Sequence, residues 1–180
     1  MEMNKLPPRK TWKDDVDKVN QLMNEERSNC SIAEKYSRPR VNKIAKCWGT
    51  LPGMSLDLTC DDEDGGLPWD FSKQSKRDKA EQLIESGKTL LLIGSPMCSA
   101  VSQLQKIDKI KAPAEVKKRK IEEGRRHLEF CCKLYRMQLE KGLYFLHGHP
   151  GNASSWSEPY VKALLEDHRV KTVNGDGCVW

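Results

Sequence analysis

Apolar and polar positions change period several times along the chain, and each change predicts an element. In the first thirty residues, which are largely charged, Val16, Val19, Leu22 and Met23 recur at helical spacing and predict a short amphipathic helix in an N-terminal extension over residues 1–29. Ser31 to Ser37 alternates as a strand does. Arg38-Pro39-Arg40 then opens a helix through Val41, Ile44, Ala45 and Trp48, stopped by Gly49 and Pro52. A second strand is expected over Met54–Thr59, with Asp57 inside it and an acidic turn, Cys60 to Gly66, behind it. The next helix, capped by Ser72 or Ser75, runs through Ala80, Leu83 and Ile84 to Gly87.

Thr89-Leu90-Leu91-Leu92-Ile93 reads as a strand buried on both faces, the kind found in the middle of a parallel sheet. It stops at Gly94-Ser95-Pro96 and delivers Cys98. Ser99 to Ala112 is a polar connection, and Pro113 starts a long helix reaching Lys141-Gly142, with Ile121, Gly124, Leu128, Cys131, Cys132 and Tyr135 as its packing stripe. Leu143 to Leu146 repeats the central strand and ends at His147-Gly148-His149-Pro150. A helix capped by Ser154 or Ser155 follows through Tyr160, Val161, Leu164 and Leu165, and Val170–Val173 is a last short strand. About five alternations of strand and helix predict a parallel, doubly wound α/β sheet. Residues 30–180 are expected to form one domain.

Composition narrows this picture. With 37% hydrophobic and 32% charged residues in 180, the chain is long enough for one α/β core and too short for two. No apolar run approaches ~18 residues and no leader pattern is visible, so neither a membrane span nor a secretory signal is expected. Seven cysteines without a C-x-x-C pair fit a reducing compartment, nuclear or cytoplasmic, better than a disulfide framework or a zinc site. Charge is uneven: Lys106 to Arg126 holds nine Lys/Arg against four acids, the whole of the chain's net +5. Lys117, Lys118, Arg119, Lys120, Arg125 and Arg126 in that block are either a solvated helix face or a contact surface for a polyanion. The acidic turn lacks the spaced ligands and terminal glutamate of a calcium loop and reads as a solvated turn.

Cys98 at a strand-to-loop corner is the first candidate for chemistry, because ligands of open parallel sheets bind just beyond the carboxyl ends of the strands. Residue by residue, three readings stand beside each other. Cys98 is a buried structural cysteine; or it is the nucleophile of a Cys-His hydrolase, with His147 or His149 drawing its proton; or His147-x-His149 holds a metal, for which a third ligand is not evident.

A fourth reading comes from resemblance. Gly94-Ser95-Pro96-Met97-Cys98 resembles the Gly-x-Pro-Pro-Cys corner of the cytosine-5 DNA methyltransferases. Leu56-Asp57-Leu58-Thr59 and Trp69-Asp70-Phe71-Ser72 resemble that family's two acidic cofactor positions, and Phe145 to Pro150 falls where it has a Glu-Asn-Val strand end. More closely, Tyr36-Ser37-Arg38-Pro39-Arg40-Val41, the Ser-Pro-Met-Cys corner and the Phe-Leu-His-Gly-His-Pro strand end are similar to methyltransferase-like segments inside mobile-element polyproteins of microbial eukaryotes. The resemblance covers roughly residues 30 to 180.

It implies a Rossmann-like, methyltransferase-type sheet, shortened at its C-terminal end because nothing follows Trp180 where the family has further motifs. It implies S-adenosylmethionine as cofactor, bound by Glu34, Ser37, Asp57, Asp70 and Pro96, and methyl transfer to cytosine in nucleic acid, with DNA as the expected partner. Cys98 would be the nucleophile, with His147 and His149 beside it. The chain departs from the pattern at three places: Gly148 stands where the related strand has Glu, Met97 replaces the second proline, and Glu34 to Pro39 replaces a glycine-rich loop. Activity retained or lost in this copy, and a non-catalytic nucleic-acid-binding domain, both remain open at this point.

Overall fold

The computed structural model describes residues 31–48, 50–87, 89–96 and 113–175. Strands β1 (Ser31–Lys35), β2 (Leu51–Leu56), β3 (Thr89–Gly94) and β4 (Tyr144–His147) alternate with helices α1 (Val41–Ile44, continued as a 3-10 turn over Ala45–Trp48), α2 (Gln74–Ser86), α3 (Ala114–Glu140) and α4 (Pro159–Leu165). The strands form one parallel sheet in the order β2-β1-β3-β4. This is an α/β fold compatible with a Rossmann-like sheet. The chain steps from β1 out to β2, then returns across β1 to β3, so the direction of winding reverses between β1 and β3.

Reversal sends the crossover helices to opposite faces, since parallel connections are right-handed. Ala33, Leu56 and Leu92 point to the face where Ala80 and Ile84 of α2 and Leu128, Cys131, Leu134 and Tyr135 of α3 close the main core. Leu92, Ile84 and Leu134 are fully buried, each contributing about 1.5–3 kcal/mol. Residues of the other parity face α1. The stripe in α3 repeats at intervals of three and four from Gly124 to Leu139, but none of its first ten residues is buried. That end therefore projects about 15 Å beyond the core.

Several expected boundaries move. β2 begins at Leu51, three residues before the expected start, and ends at Leu56, so Asp57 sits just past the strand rather than inside it. Pro52, expected to stop the preceding helix, belongs to the strand, as does Gly53. Pro52 is tolerated because β2 is an edge strand, and Gly53 is needed because a Cβ there would lie 2.6 Å from the Ile32 carbonyl, beside a register shift in β1. The serine caps do not form. The residue before α2 is Lys73, without a side-chain cap, while Ser72 turns back to Asp70. Ser154 and Ser155 belong to a 3-10 turn over Ser154–Ser157, and α4 starts at Pro159, whose fixed φ suits a first helical turn.

Val170–Val173 is not a strand: Val170 N–H bonds Asp167 O (2.9 Å), Arg169 Nη1 donates to Leu139 O (2.7 Å), and Val173 is 83% exposed. These bonds hold the segment off β4. The acidic turn is less solvated than expected, because Asp62 is buried and pairs with Lys76 and, at 3.2 Å, Lys79, which also reaches Asp64 at 2.6 Å. No described helix is long and apolar enough to cross a membrane. The expected N-terminal helix and the Ser99 to Ala112 connection lie outside the described residues.

Candidate functional site

The ladder continues one residue past the strand ends and stitches three corners together. Tyr36 N–H donates to Leu56 O (3.1 Å), Ser95 N–H to Lys35 O (3.2 Å), and Gly148 N–H to Gly94 O (3.0 Å). The corner after β3 and the corner after β4 thus touch, beside the point where winding reverses. Ligands of open α/β sheets bind at such a point.

Gly94 is required there by packing, since a Cβ would collide with the Tyr135 hydroxyl. Pro96 is buried. Cys98, two residues further on, lies outside the described residues, as do Met97 and Cys178. Gly148 faces the Ser95 side of the corner: a Cβ on it would sit 3.0 Å from Ser95 Oγ, and its backbone is not left-handed.

Strand pleating turns His147 and His149 away from that side. Their rings stack on each other (centroids 5.3 Å, 15° between planes) and meet Trp156 edge-on, at 5.6 and 6.0 Å. His147 Nδ1 also meets the Tyr135 hydroxyl at 3.1 Å, while both ring nitrogens of His149 are buried without a hydrogen bond. Burial, and then the neighbouring His149, pull His147 down to about 4, and burial lowers His149. Both rings are neutral near pH 7. With Tyr135, Phe145 and Trp156 they wall a cleft of ≈ 900 Å³ closed on its far side by Arg169–Gly175. Among the described residues no third ligand joins them, so the geometry there does not make a metal centre.

The five residues implied for a cofactor separate into different roles. Asp57 stands at the carboxyl end of β2, half-buried in its turn, its Oδ1 accepting from Thr59 N–H (3.0 Å) and Oγ1 (2.6 Å). An acid at the end of a second strand is where Rossmann-like sheets meet ribose hydroxyls. Asp70 accepts from Ser72 N–H and Oγ, which hold its carboxyl below the usual range, with Lys73 at 3.8 Å. Ser37 Oγ donates to Arg38 O (3.1 Å).

Glu34 is committed elsewhere. It is 1% exposed, and its carboxylate accepts from the N–H groups of Arg40 (3.2 Å), Val41 (2.8 Å) and Asn42 (3.0 Å), filling the N-terminus of α1 from within. In this arrangement it does not fit a cofactor ligand.

Of the basic residues, Lys118, Arg119, Lys120, Arg125 and Arg126 are exposed on α3 and Lys117 is half-buried. Arg125 differs from the rest: its Nε donates to Glu158 at 2.8 Å, tying α3 to α4.

The sequence reading missed the group nearest the reversal point. Lys35, at the end of β1, is 1% exposed, and its Nζ has no hydrogen bond; it lies 3.3 Å from the Phe130 ring centroid, 4.5 Å from that of Phe71 and 4.8 Å from that of Tyr36. Burial lowers it to about 7. Tyr36 follows in the left-handed region (φ 57°), a strained conformation for a bulky residue, and its hydroxyl meets His127 Nδ1 at 2.8 Å. The only hint in the sequence was position, a lysine between an apolar strand and a turn. No protein-family model matches the chain, and neither a curated protein nor a solved structure does.

Proposed function

We propose that this domain belongs to the methyltransferase type and acts on nucleic acid, transferring a methyl group from S-adenosylmethionine to cytosine with Cys98 as nucleophile. The observation that carries this reading is the bond between corners, Gly148 N–H to Gly94 O at 3.0 Å, which joins the Gly94-Ser95-Pro96 turn to the β4 end, one strand along from the reversal between β1 and β3. Asp57 at the end of β2 supports it from the cofactor side.

Bound S-adenosylmethionine would supply the methyl group as an electrophile. The Cys98 thiolate adds to carbon 6 of an extruded cytosine, and after methylation at carbon 5 loss of the ring proton expels the thiolate. Asp57 would accept from ribose hydroxyls. Position 148 would carry the carboxyl group that stabilises the protonated ring nitrogen, and glycine leaves this role empty. Gly148→Glu is therefore expected to raise methylation of cytosine-containing DNA at least about tenfold, since general acid help is worth that or more. A Cβ at position 148 would meet the Ser95 hydroxyl, a rotatable group, at 3.0 Å.

A second reading, nucleic-acid binding without methyl transfer, is favoured by Glu34, whose carboxylate occupies the helix N-terminus after β1. Calorimetric titration with S-adenosylmethionine separates the two. Saturable binding lost in Asp57→Ala is the outcome expected of the first reading; no binding at millimolar cofactor overturns it and leaves the second.

A further inference from the structure

Among the described residues, the winding of the sheet leaves one of its faces half covered. Three of the four described helices lie on the main-core face, and only α1 with its 3-10 turn lies on the other, over β1 and β2. On that second face the strand registers line up two rows, Ile32–Leu91–Tyr144 and Glu34–Ile93–Leu146. Ile32 and Glu34 are buried beneath α1, whereas Tyr144 is 38% and Leu146 56% exposed, with Leu91 and Ile93 half-buried between them. Parallel strands are covered on both faces in stable domains. A described crossover helix does not supply this cover, because β3 and β4 are wound in one direction and their helices all fall on the main-core side.

We infer that the chain covers this face with its own N-terminal segment, Trp12 to Met23, docking on Leu91, Ile93, Tyr144 and Leu146. Trp12, Val16, Val19 and Met23 recur at intervals of four, three and four, a single helical stripe with Leu22 at its edge, and Lys13, Asp14, Asp15, Asp17, Lys18, Asn20 and Gln21 occupy the remaining positions. Twelve helical residues span about 18 Å. That matches strands of four to six residues, roughly 13–20 Å long.

The join also reaches. Asn24 to Cys30 extends to at most about 23 Å, while β4 lies about 10 Å, two strand spacings, from β1. Residues 1–29 are on this inference part of the domain rather than an appendage to it. A second copy of the chain laid on the same face is the competing occupant. The inference stands independently of the methyltransferase reading.

The test uses the full chain carrying Leu146→Cys, with alkylation at position 146 followed by peptide mass spectrometry. With Val16 and Val19 intact, labelling is slow; adding Val16→Glu and Val19→Glu, which bury two charges if the stripe is docked, speeds it about tenfold or more, while amide protection in α3 is unchanged. Equal rates with and without the two glutamates overturn the inference. So does slow labelling that quickens on dilution, which assigns the face to a second copy. An independent reading is a double-mutant cycle of Val19→Ala with Leu146→Ala in urea unfolding: non-additive losses are expected, and strictly additive ones count against contact.

Discussion

Lys35 is a residue whose chemistry the fold moves far from its ordinary value and into the range around neutral pH. An amine buried among Phe130, Phe71 and Tyr36 without a hydrogen bond is favoured in its neutral form. Its folded value of about 7 lies below the ordinary 10.5, so between these values the unfolded chain binds the extra proton and stability rises with pH. Below the folded value both states are protonated and the penalty is fully present. Each pH unit inside the window is worth about 1.4 kcal/mol. The groups facing Lys35 from α2 and α3 are Glu81, Arg77, Cys131 and Cys132; the two thiols, raised by burial, act with the opposite sign only as pH nears their ordinary 9.0. Urea unfolding from about pH 7 to about pH 8.5 isolates the lysine. Lys35→Met is expected to be more stable than the parent at pH 7 and to flatten the slope; an unchanged slope would show that the amine is charged in the fold.

At the scale of elements, α1 is too short to stand by itself, and two side chains hold it. Glu34 caps three of its N–H groups, and Asn42 clamps it to β2, donating to Gly53 O (3.2 Å), Met54 O (3.1 Å) and Ser55 Oγ (2.9 Å) while accepting from Gly53 N–H (3.1 Å). Glu34→Ala strands those donors and is expected to cost about 1–3 kcal/mol. Hydrogen exchange should then quicken at Arg40, Val41 and Asn42 and not in α3; uniform protection would contradict the cap. The overhanging end of α3 behaves differently, because nothing in its first ten residues is buried. Reversing Lys117, Lys118, Arg119 and Lys120 to Glu is expected to leave urea unfolding within about 0.5 kcal/mol and to abolish retention of DNA at low salt. Arg125 is left out of that set because it ties α3 to Glu158. Unchanged affinity in low salt would remove this face from the binding surface.

At the scale of the whole molecule, what was legible in the sequence is what depends on neighbours along the chain. Period and breakers located all four observed strands, because an apolar run stopped by Gly or Pro, such as Thr89 to Pro96, has few other uses. They also located α3, whose stripe is long enough to be unmistakable. Errors fell where a distant contact outweighed local preference. Pro52 and Gly53 entered β2 because β1 lies close alongside, Ser72 bonded Asp70 rather than capping α2, and Val170–Val173 stayed unpaired because Asp167 and Leu139 hold the chain around it. The candidate site divides in the same way. That Gly94, Ser95, His147 and Gly148 lie at strand ends follows from pattern alone, since strands end where the pattern ends, whereas the pattern put Asp57 inside β2 and the fold puts it just past the strand. Which of them meet, that His147 and His149 turn from Ser95 toward Trp156, and that Glu34 and Lys35 are spent inside the fold were decided by strand order and pleat parity. Strand order brings together residues dozens of positions apart, and no local period encodes it.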